Sequence, residues 1–382
     1  MVQKKAAGIV VIALVAVVAS AGLYVYFLLP SVQDDPDAED PIIDMAGRTI
    51  NLPEDFDRIL AIGPGALRFV SYFDKGDMVV ATENRESAAY NAKSYMYANP
   101  WYNSSEIQKI GNSPWTDLES IIALDPRPQV LISVDYEEIL EGIQILEAAN
   151  ITVVCIKELQ SALDPLFAQQ VRLLGRVFGE EQRGEDLLTH LNATISDLSD
   201  RVSGIVDKPS VYIGAIAWAG TRTFTWSTCT YAPFDLISAN NVITANMTLS
   251  DVPMEFDFET IVGLDPDFVF IDPTGFHNVR DDYNTETVKY DALSAFNTSD
   301  WNVHMTIPFI WYGVNFDNSL AAAYQIGKLL YPAQFADVNV TAMANEIFQT
   351  WVGVECYGAM DAWFVNNPLR QTSIDGPADF SV

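Results

Sequence analysis

One segment of the sequence occurs twice. The run DLESIIALDPRPQVLIS, from Asp117 to Ser133, returns as DFETIVGLDPDFVFIDP, from Asp257 to Pro273, with Asp, Glu, Ile, Leu, Asp and Pro recurring in register. Each copy predicts a short helix that is capped by its first Asp, ends at Asp-Pro and leads into a buried strand. Because one chain repeats the same helix and strand, we expect two similar α/β lobes.

Each half of the chain also opens in the same order of strand, loop, helix and strand. In the first half the strand-like run RILAIG (58–63) precedes the helical pattern ALRFVSYF and the strand-like MVVAT. In the second half SVYIGAIAW (210–218) precedes a polar and aromatic loop, then APFDLISA and NNVI. The two halves therefore predict lobes with matching first elements.

A helical pattern joins the two halves. Apolar residues recur at helical spacing at Leu187, Leu188, Leu191, Ile195, Leu198 and Val202. A helix from about Glu180 to Val202 spans roughly 33 Å and limits hinge closure. We therefore expect two Rossmann-like lobes that are joined by a long helix, with a ligand cleft between them. The predicted divisions are an N-terminal segment 1–30, an acidic linker 31–40, a first lobe 41–160, a helical connector 161–205, a second lobe 206–355 and a tail 356–382.

The N-terminal segment has the composition of a membrane anchor. Lys4 and Lys5 precede an uncharged run from Ala6 to Leu29, which as a helix is roughly 36 Å long and sufficient to cross a bilayer. The positive end is expected inside, so the acidic stretch SVQDDPDAED and the rest of the chain lie outside the cytoplasm. A cleavable signal peptide is the alternative, although its apolar region is unusually long.

Composition narrows the class of partner. The 51 acidic and 21 basic residues give a formal net charge of −30, which repels nucleic acid and anionic lipid surfaces. Asn-x-Ser/Thr sequons predict an exported, glycosylated surface, and they begin at Asn103, Asn150, Asn192, Asn246, Asn297 and Asn339. Cys155 is expected in a buried strand, and a disulfide between Cys229 and Cys356 is left open.

These features together resemble the helix-linked (class III) substrate-binding proteins of ABC importers, which handle ferric siderophores, haem and cobalamin. The resemblance covers roughly Ile42 to Gly353. It is carried by the opening IIDMAGRTINLPEDFDRILAIGPGALRFV, the block TDLESIIALDPRPQVLI, the connector ending in LLGRVFGEEQ and the block FDFETIVGLDPDFVFI. The resemblance implies an ABC permease dimer with its ATPase subunits as partner.

Ligands of two-lobed α/β folds bind where loops leave the carboxyl ends of parallel strands. That rule selects candidate ligand-binding residues in both lobes: Gly63, Pro64, Gly65, Arg85, Tyr102, Trp115, Trp218, Arg222, Phe224, Trp226, Tyr231, His277, Trp311 and Tyr312. The aromatic residues between Trp218 and Tyr231 predict a wall facing a flat or chelated ligand, and Arg222 among them can pair with carboxylate or hydroxamate oxygens. Arg68 is ranked below Arg222, because its helix can point it away from the cleft.

The chemistry that is missing favours a binding protein. The sequence has no nucleophile elbow, phosphate loop, dinucleotide fingerprint or zinc-protease motif. None of the three histidines, His190, His277 and His304, belongs to a cluster with metal-ligand spacing. We therefore expect no catalytic residues, metal site or intrinsic cofactor, and a ligand that brings its metal already chelated.

Several functions remain open at this point. The leading one is capture of an iron chelate, with a corrinoid or haem as alternatives of the same class. A chelatase-like surface enzyme is a further alternative and needs an acid-base pair such as His277 with Asp272 or Glu83. An envelope or adhesion component is the last.

Glu119 and Glu259 occupy the same place in the two repeat copies. A carboxylate in the first turn of a helix stabilises it through the helix dipole, and that effect alone can explain both. The resemblance implies more, because the glutamate at this position in each lobe meets arginines of the permease dimer.

Overall fold

The computed structural model describes two compact units, Met1–Pro41 and Ile42–Val382. The residues described are 15–16, 25–26, 40–86, 92–111, 115, 117–217, 220–248, 252–297, 299–366 and 376–380. In the first unit β1 (Val15–Ala16) pairs antiparallel with β2 (Val25–Tyr26). No helix in the described part of the chain is long and apolar enough to cross a membrane. Within the run Ala6–Leu29, where the sequence predicts an anchor, only the strands β1 and β2 are described. The other residues of that run lie outside the described residues.

The first lobe of the second unit is built on a parallel sheet. A short antiparallel hairpin precedes it, consisting of β3 (Ile42–Ile43) and β4 (Thr49–Ile50). The sheet has the order β7-β6-β5-β8-β9, and all neighbours are parallel. Its strands are β5 (Ile59–Ile62), β6 (Val79–Glu83), β7 (Gln108–Ile110), β8 (Val130–Val134) and β9 (Thr152–Ile156).

The second lobe repeats this plan with a smaller sheet. Its order is β12-β10-β14-β15, again parallel throughout. The strands are β10 (Ser210–Gly214), β12 (Asn240–Asn241), β14 (Phe268–Ile271) and β15 (Val303–Met305). A separate antiparallel pair, β11 (Trp226–Ser227) with β13 (Met254–Glu255), lies beside it. The prediction of two similar α/β lobes is confirmed.

Helices cover both sheets. They are α1 (Ala66–Tyr72), α2 (Ser94–Ala98), α3 (Leu118–Ile122), α4 (Glu137–Ala148), α5 (Pro165–Phe178), α6 (Glu181–Val202), α7 (Ala232–Leu236), α8 (Phe258–Leu264), α9 (Phe276–Thr285), α10 (Thr287–Tyr290), α11 (Phe316–Leu330), α12 (Val340–Val352) and α13 (Tyr357–Asn366). Because both faces of a parallel sheet are covered, its strands consist of continuous apolar residues. All four residues of β5 are buried accordingly.

The repeat and the connector form the elements that were predicted, with local differences. In the first copy α3 leads into β8, and the Asp117 side chain accepts a hydrogen bond from the Ser120 amide at 3.2 Å. In the second copy α8 leads into β14, but the Asp257 side chain forms no capping bond. That half of the capping prediction is wrong, because the Asp257 backbone carbonyl accepts from the Thr260 amide instead.

The connector is a pair of helices with a defined break. Asp164 caps α5 by accepting from the Leu166 amide at 2.8 Å, and Pro165 occupies the first helical position, where no amide proton is needed. Gly179 ends α5 in the left-handed region, with φ of 65°, and α6 begins two residues later. Leu187, Leu188 and Leu191 lie on the buried face of α6 as the spacing predicted.

The three cysteines are free thiols. Cys155 is buried in β9 as expected. Cys356 belongs to the core that runs through both lobes, whereas Cys229 packs against a separate second-lobe cluster. The disulfide that the sequence left open is therefore not formed.

Candidate functional site

A cavity of about 630 Å³ lies at the carboxyl ends of the strands of both lobes. Its lining comes from the first lobe, the second lobe and the loop before α11: Pro64, Arg85, Glu158, Gln160, Ala217, Gly220, Thr221, Ile310, Trp311, Tyr312, Gly313 and Val314. The rule that ligands bind at the carboxyl edge of such sheets selects the same place. We refer to this cavity as the cleft.

Two glycines shape the first-lobe side of the cleft. Gly63 and Gly65 follow β5 and have φ of 93° and 88°, values that side chains other than glycine rarely adopt. A Cβ on Gly63 lies 2.8 Å from Cγ2 of Val134, so any larger residue collides with β8. The turn thus brings Pro64 to the cleft surface and begins α1 directly behind it.

A loop from the second lobe reaches across to this turn. It runs from Ile310 to Asn315 and is closed by a bridge between Ile310 and Val314. Gly313 lies at its tip, where an added Cβ would sit 3.0 Å from the Pro64 carbonyl carbon and 3.1 Å from the Gly65 nitrogen. We name residues 310–315 the crossing loop.

Arg68 holds the crossing loop in place. This fully buried side chain on α1 donates from Nε to Asn315 Oδ1 at 2.9 Å and from Nη1 to the Val314 carbonyl. Its Nη2 donates to the carbonyls of Trp311 and Tyr312 at 3.4 and 3.3 Å. Arg68 therefore does not present its charge to the cleft but fixes the loop that lines it.

Arg85 is the cation that the cleft presents. Its guanidinium carbon lies 6.0 Å from the centre of the Trp115 ring and 5.6 Å from that of Tyr312, both within cation–π range. The Trp115 ring packs in turn on Tyr136 with centroids 4.6 Å apart. Arg85 is exposed and forms no ion pair with any residue that the structure describes, so its donors are available to a ligand.

Glu83 lies directly beneath these groups. It is the last residue of β6 and only 1% exposed. Its Oε1 accepts from the Tyr312 hydroxyl at 2.7 Å and its Oε2 from the Gly63 amide at 2.9 Å. Burial raises the pKa of Glu83 to about 8, and the nearby Glu86 carboxylate adds to the rise. The two hydrogen bonds and the charge of Arg85 lower it only in part.

A layer of buried polar groups supports the floor of the cleft. Glu86 and Lys93 form an ion pair of 3.0 Å with both side chains buried, and the Tyr95 hydroxyl donates to the same Glu86 oxygen at 2.6 Å. Asp317 on α11 accepts from the Tyr72 hydroxyl at 2.7 Å. The Ser94 hydroxyl on α2 donates to the same carboxylate, so Asp317 joins α1, α2 and α11. Each of these buried charges thus has the partners that burial requires.

Only some of the predicted site residues lie at the cleft. Those at or around the cleft are Gly63, Pro64, Gly65, Arg85, Trp115, Trp311 and Tyr312. Tyr102, Phe224 and Tyr231 are instead buried in hydrophobic cores. Phe224 packs on Tyr212 and Tyr290, and the Tyr231 hydroxyl donates to Thr306 Oγ1 at 3.2 Å. Trp218 lies outside the described residues.

Arg222 and Trp226 form a stacked pair on the second lobe. The Arg222 guanidinium carbon lies 4.0 Å from the centre of the Trp226 ring, and both side chains are half-buried. The Asn278 side chain donates to the Arg222 carbonyl at 3.0 Å, which ties the loop to α9. The lining of the cleft includes Gly220 and Thr221. Arg222 and Trp226 follow these residues in the sequence but do not belong to the lining.

The residues named for the alternative acid-base pair, His277 with Asp272 or Glu83, are all among those that the structure describes. His277 is half-buried in the first turn of α9, and the Asp272 carboxylate accepts from the Thr274 amide and hydroxyl at 2.8 and 2.5 Å. Glu83 is hydrogen-bonded to Tyr312 and Gly63. Among the described residues no group of three or more His, Cys, Asp or Glu side chains can hold a metal ion.

Sequence reasoning missed the central position of Glu83. It named this residue only as a partner for His277, although a clear signal was present. Glu83 ends an apolar strand at the edge where ligands bind, and a carboxylate there has to be satisfied by neighbouring loops.

Glu119 and Glu259 are both exposed, in the first turns of α3 and α8. Both helices lead into central strands of their sheets, β8 and β14. The first turn of each helix therefore lies at the carboxyl edge of its sheet. The cleft lies at the same edge.

Solved structures of several binding proteins share this fold. An ABC transporter solute binding protein from Sulfurospirillum deleyianum aligns with a TM-score of 0.61 and 20% identity, over 85% of this chain and 99% of its own. A periplasmic solute binding protein from Veillonella parvula aligns with a TM-score of 0.67 and 15% identity, over 84% and 95% of the two chains. The molybdate periplasmic binding protein MolA from Haemophilus influenzae, bound to molybdate, gives 0.62 and 17% over 83% and 98%.

These likenesses, all at 20% identity or below, show the fold. The chain has the two-lobed, helix-linked fold of periplasmic solute-binding proteins of ABC transporters, as the sequence resemblance predicted. No protein-family model matches the sequence, and no curated protein matches it.

Proposed function

We propose that this protein captures an anionic metal chelate outside the cytoplasm and delivers it to an ABC permease. The observation that carries the proposal is Arg85 in the cleft of a solute-binding fold. Its exposed guanidinium lies within cation–π range of the Trp115 and Tyr312 rings and forms no ion pair with any described carboxylate. A preorganised guanidinium of this kind suits ligands with carboxylate, hydroxamate or catecholate oxygens.

An iron chelate of the siderophore type is the leading ligand. The aromatic rings beside Arg85 offer flat apolar surface to a bulky ligand, and the cleft of about 630 Å³ has the size of a small-molecule site. The described residues offer no cluster of metal ligands, which favours a metal that arrives already coordinated. A corrinoid or haem is the second candidate, and it rests on the same rings.

The direct test is ligand titration of the purified full-length chain, followed by tryptophan fluorescence. The probes are a ferric hydroxamate, ferric citrate, haemin and cobalamin. We expect saturable quenching by a ferric chelate, since Trp115 and Trp311 lie at the cleft. No saturable response to any probe contradicts the proposal, and a response to haemin or cobalamin alone selects the second candidate.

Arg85→Ala is the matching variant. It removes the cation without removing a core contact, and we expect affinity for an anionic chelate to fall by about tenfold or more. Arg172→Ala is the control, because Arg172 is an exposed arginine of the connector that is paired with Glu185. Equal affinity in the two variants contradicts the role of Arg85.

Delivery is proposed to use Glu119 and Glu259 as two equivalent contacts with the two permease subunits. Charge reversal at both, Glu119→Arg with Glu259→Arg, is expected to abolish uptake in cells while chelate affinity and thermal stability stay unchanged, because like charges then face each other across the docking surface. Glu147→Arg with Glu355→Arg is the control, since both glutamates are exposed elsewhere. Normal uptake by the first variant returns Glu119 and Glu259 to helix stabilisation alone.

The same proposal places the N-terminal run Ala6–Leu29 in the membrane, with the lobes outside. Its support is the sequence pattern of Lys4, Lys5 and the uncharged run after them. Membrane fractions washed with alkaline carbonate are expected to retain the protein. Release of a shortened chain into the wash identifies a cleaved signal peptide instead.

A further inference from the structure

We propose that Glu83 is the positioning residue of the cleft. Its carboxyl group holds Tyr312, whose ring lies below Arg85, and the Gly63–Gly65 turn in place. Its charge sets how strongly the cleft attracts an anion. The part of this inference that concerns the ligand rests on the proposed function. The part that concerns the protein alone does not. Glu83 acts through other residues, because it is buried beneath them.

One carboxyl group connects three parts of the site. Oε1 binds the Tyr312 hydroxyl at 2.7 Å, and the Tyr312 ring lies under the Arg85 guanidinium at 5.6 Å. Oε2 binds the Gly63 amide at 2.9 Å and so fixes the first-lobe turn against which the crossing loop packs. Loss of this group therefore removes one hydrogen bond from the Tyr312 hydroxyl and one from the turn at the same time.

The charged and titratable groups around Glu83 come from four elements. They are Arg85 and Glu86 on the turn after β6, Tyr312 on the crossing loop, Tyr136 at the start of α4, and Arg68 on α1, which holds the carbonyls of the crossing loop. Burial and the adjacent Glu83 carboxylate raise the pKa of the Tyr312 phenol, so it stays protonated. Glu83 and Arg85 are thus the groups whose charges decide the local field.

Protonation of Glu83 alters that field without altering the contacts. A neutral carboxyl can accept from Gly63 with its carbonyl oxygen and donate its proton to the Tyr312 oxygen. An ionised carboxylate accepts from both and places a negative charge below Arg85. With a pKa of about 8, the switch between the two states falls close to neutral pH.

Glu83→Gln separates geometry from charge. Glutamine has nearly the shape of a protonated glutamate, with an accepting oxygen and a donating NH₂ group in place of the hydroxyl, and does not titrate. Glu83→Ala removes the contacts altogether. Tyr312→Phe keeps the ring under Arg85 and removes only the hydroxyl that Glu83 holds.

The first measurement needs no ligand. In the folded chain the pKa of Glu83 is raised from 4.5 to about 8, so the stability it contributes is present below the unfolded pKa and is lost as pH rises through the folded one. We expect the unfolding temperature of the full-length wild type, relative to Glu83→Gln, to fall between about pH 5 and about pH 9. Curves that stay parallel over this range overturn the proposal.

The second measurement uses ferric citrate as an anionic probe. Wild-type affinity is expected to decrease from about pH 7 to about pH 9 more than that of Glu83→Gln, and the ratio of the two cancels changes in the chelate itself. Glu83→Ala is expected to bind about tenfold more weakly than Glu83→Gln at every pH, and Tyr312→Phe to lie between them. Equal affinities for Glu83→Ala and Glu83→Gln contradict positioning.

The two failures are distinguishable. If ferric citrate binds none of the proteins while the stability curves diverge as expected, the proposed ligand class is wrong and Glu83 still organises the cleft. If the probe binds and the stability curves stay parallel, the proposed function stands and the role of Glu83 is overturned.

Discussion

At the scale of single residues, the C-terminal tail has an anchor that the sequence did not disclose. Phe380 is fully buried and packs on Phe276, Tyr283, Phe296 and Trp301, with ring centroids between 4.5 and 6.3 Å apart. All four partners belong to the second lobe. A phenylalanine near the end of a tail carries no periodicity, so no pattern could have assigned it to this core.

Phe380→Ala is therefore expected to destabilise the protein by about 3–5 kcal/mol, because it leaves a cavity in an aromatic cluster. Urea unfolding of the full-length chain measures the change. Val206→Ala is the control, since Val206 is 89% exposed and its truncation costs little. A loss no larger than that of the control would mean that the tail leaves the cluster in solution.

Arg68 shows a different limit at this scale. The sequence predicted its place on α1. An arginine that follows a turn at the edge of the cleft can equally contact a ligand or hold the fold together. Its acceptors come from residues 311–315, far along the chain, and only the fold brings them together.

Arg68→Lys is expected to loosen the crossing loop, because a lysine ammonium cannot reach carbonyls and an amide oxygen in the directions that the guanidinium fork does. Hydrogen exchange of residues 310–315 is expected to accelerate, while exchange in β8 stays unchanged. Arg172→Lys on the connector serves as the control. Unaltered exchange in the loop contradicts the assignment.

At the scale of elements, the helices and strands of the repeat could be predicted almost completely. Continuous apolar runs gave β8 and β14, and helical spacing gave the buried face of α6. What could not be predicted is which aromatic residues of a loop enter the core. Phe224 and Tyr231 lie beside Trp226 in the sequence, yet they are buried and Trp226 is half-buried, because burial depends on where the loop packs.

The break between α5 and α6 gives an element-scale prediction. Gly179 has φ of 65° and open space around its missing Cβ, so Gly179→Ala is expected to cost about 1–2 kcal/mol through backbone conformation alone. Gly263→Ala is the matched control, because Gly263 is helical with equally open space and alanine is expected to stabilise α8 by up to about 1 kcal/mol. Opposite shifts in the unfolding midpoint confirm the break, and shifts of the same sign refute it.

At the scale of the whole molecule, the main electrostatic feature is the excess of acidic over basic residues. Because the formal net charge is −30, the carboxylates of the folded chain repel one another. The described ion pairs engage only some of these carboxylates. Salt screens such repulsion over a Debye length of about 10 Å at 0.1 M.

Raising sodium chloride from about 0.05 M to about 1 M is expected to raise the unfolding temperature of the full-length protein. Because screening depends on ionic strength and not on the identity of the monovalent cation, potassium chloride at equal ionic strength is expected to give the same increase. A decrease with either salt would show that attractive ion pairs outweigh the repulsion.

The crossing loop also bears on the kinetics of exchange. The helical connector joins the two lobes along the chain, and Arg68 fixes the crossing loop that lines the cleft. If the protein carries a solute as proposed, its release is expected to follow the movement of the crossing loop and not a separation of the two lobes. Under the proposed function, a permease that displaces residues 310–315 is expected to empty the cleft without bending the connector, so unloading and loading need not share a path.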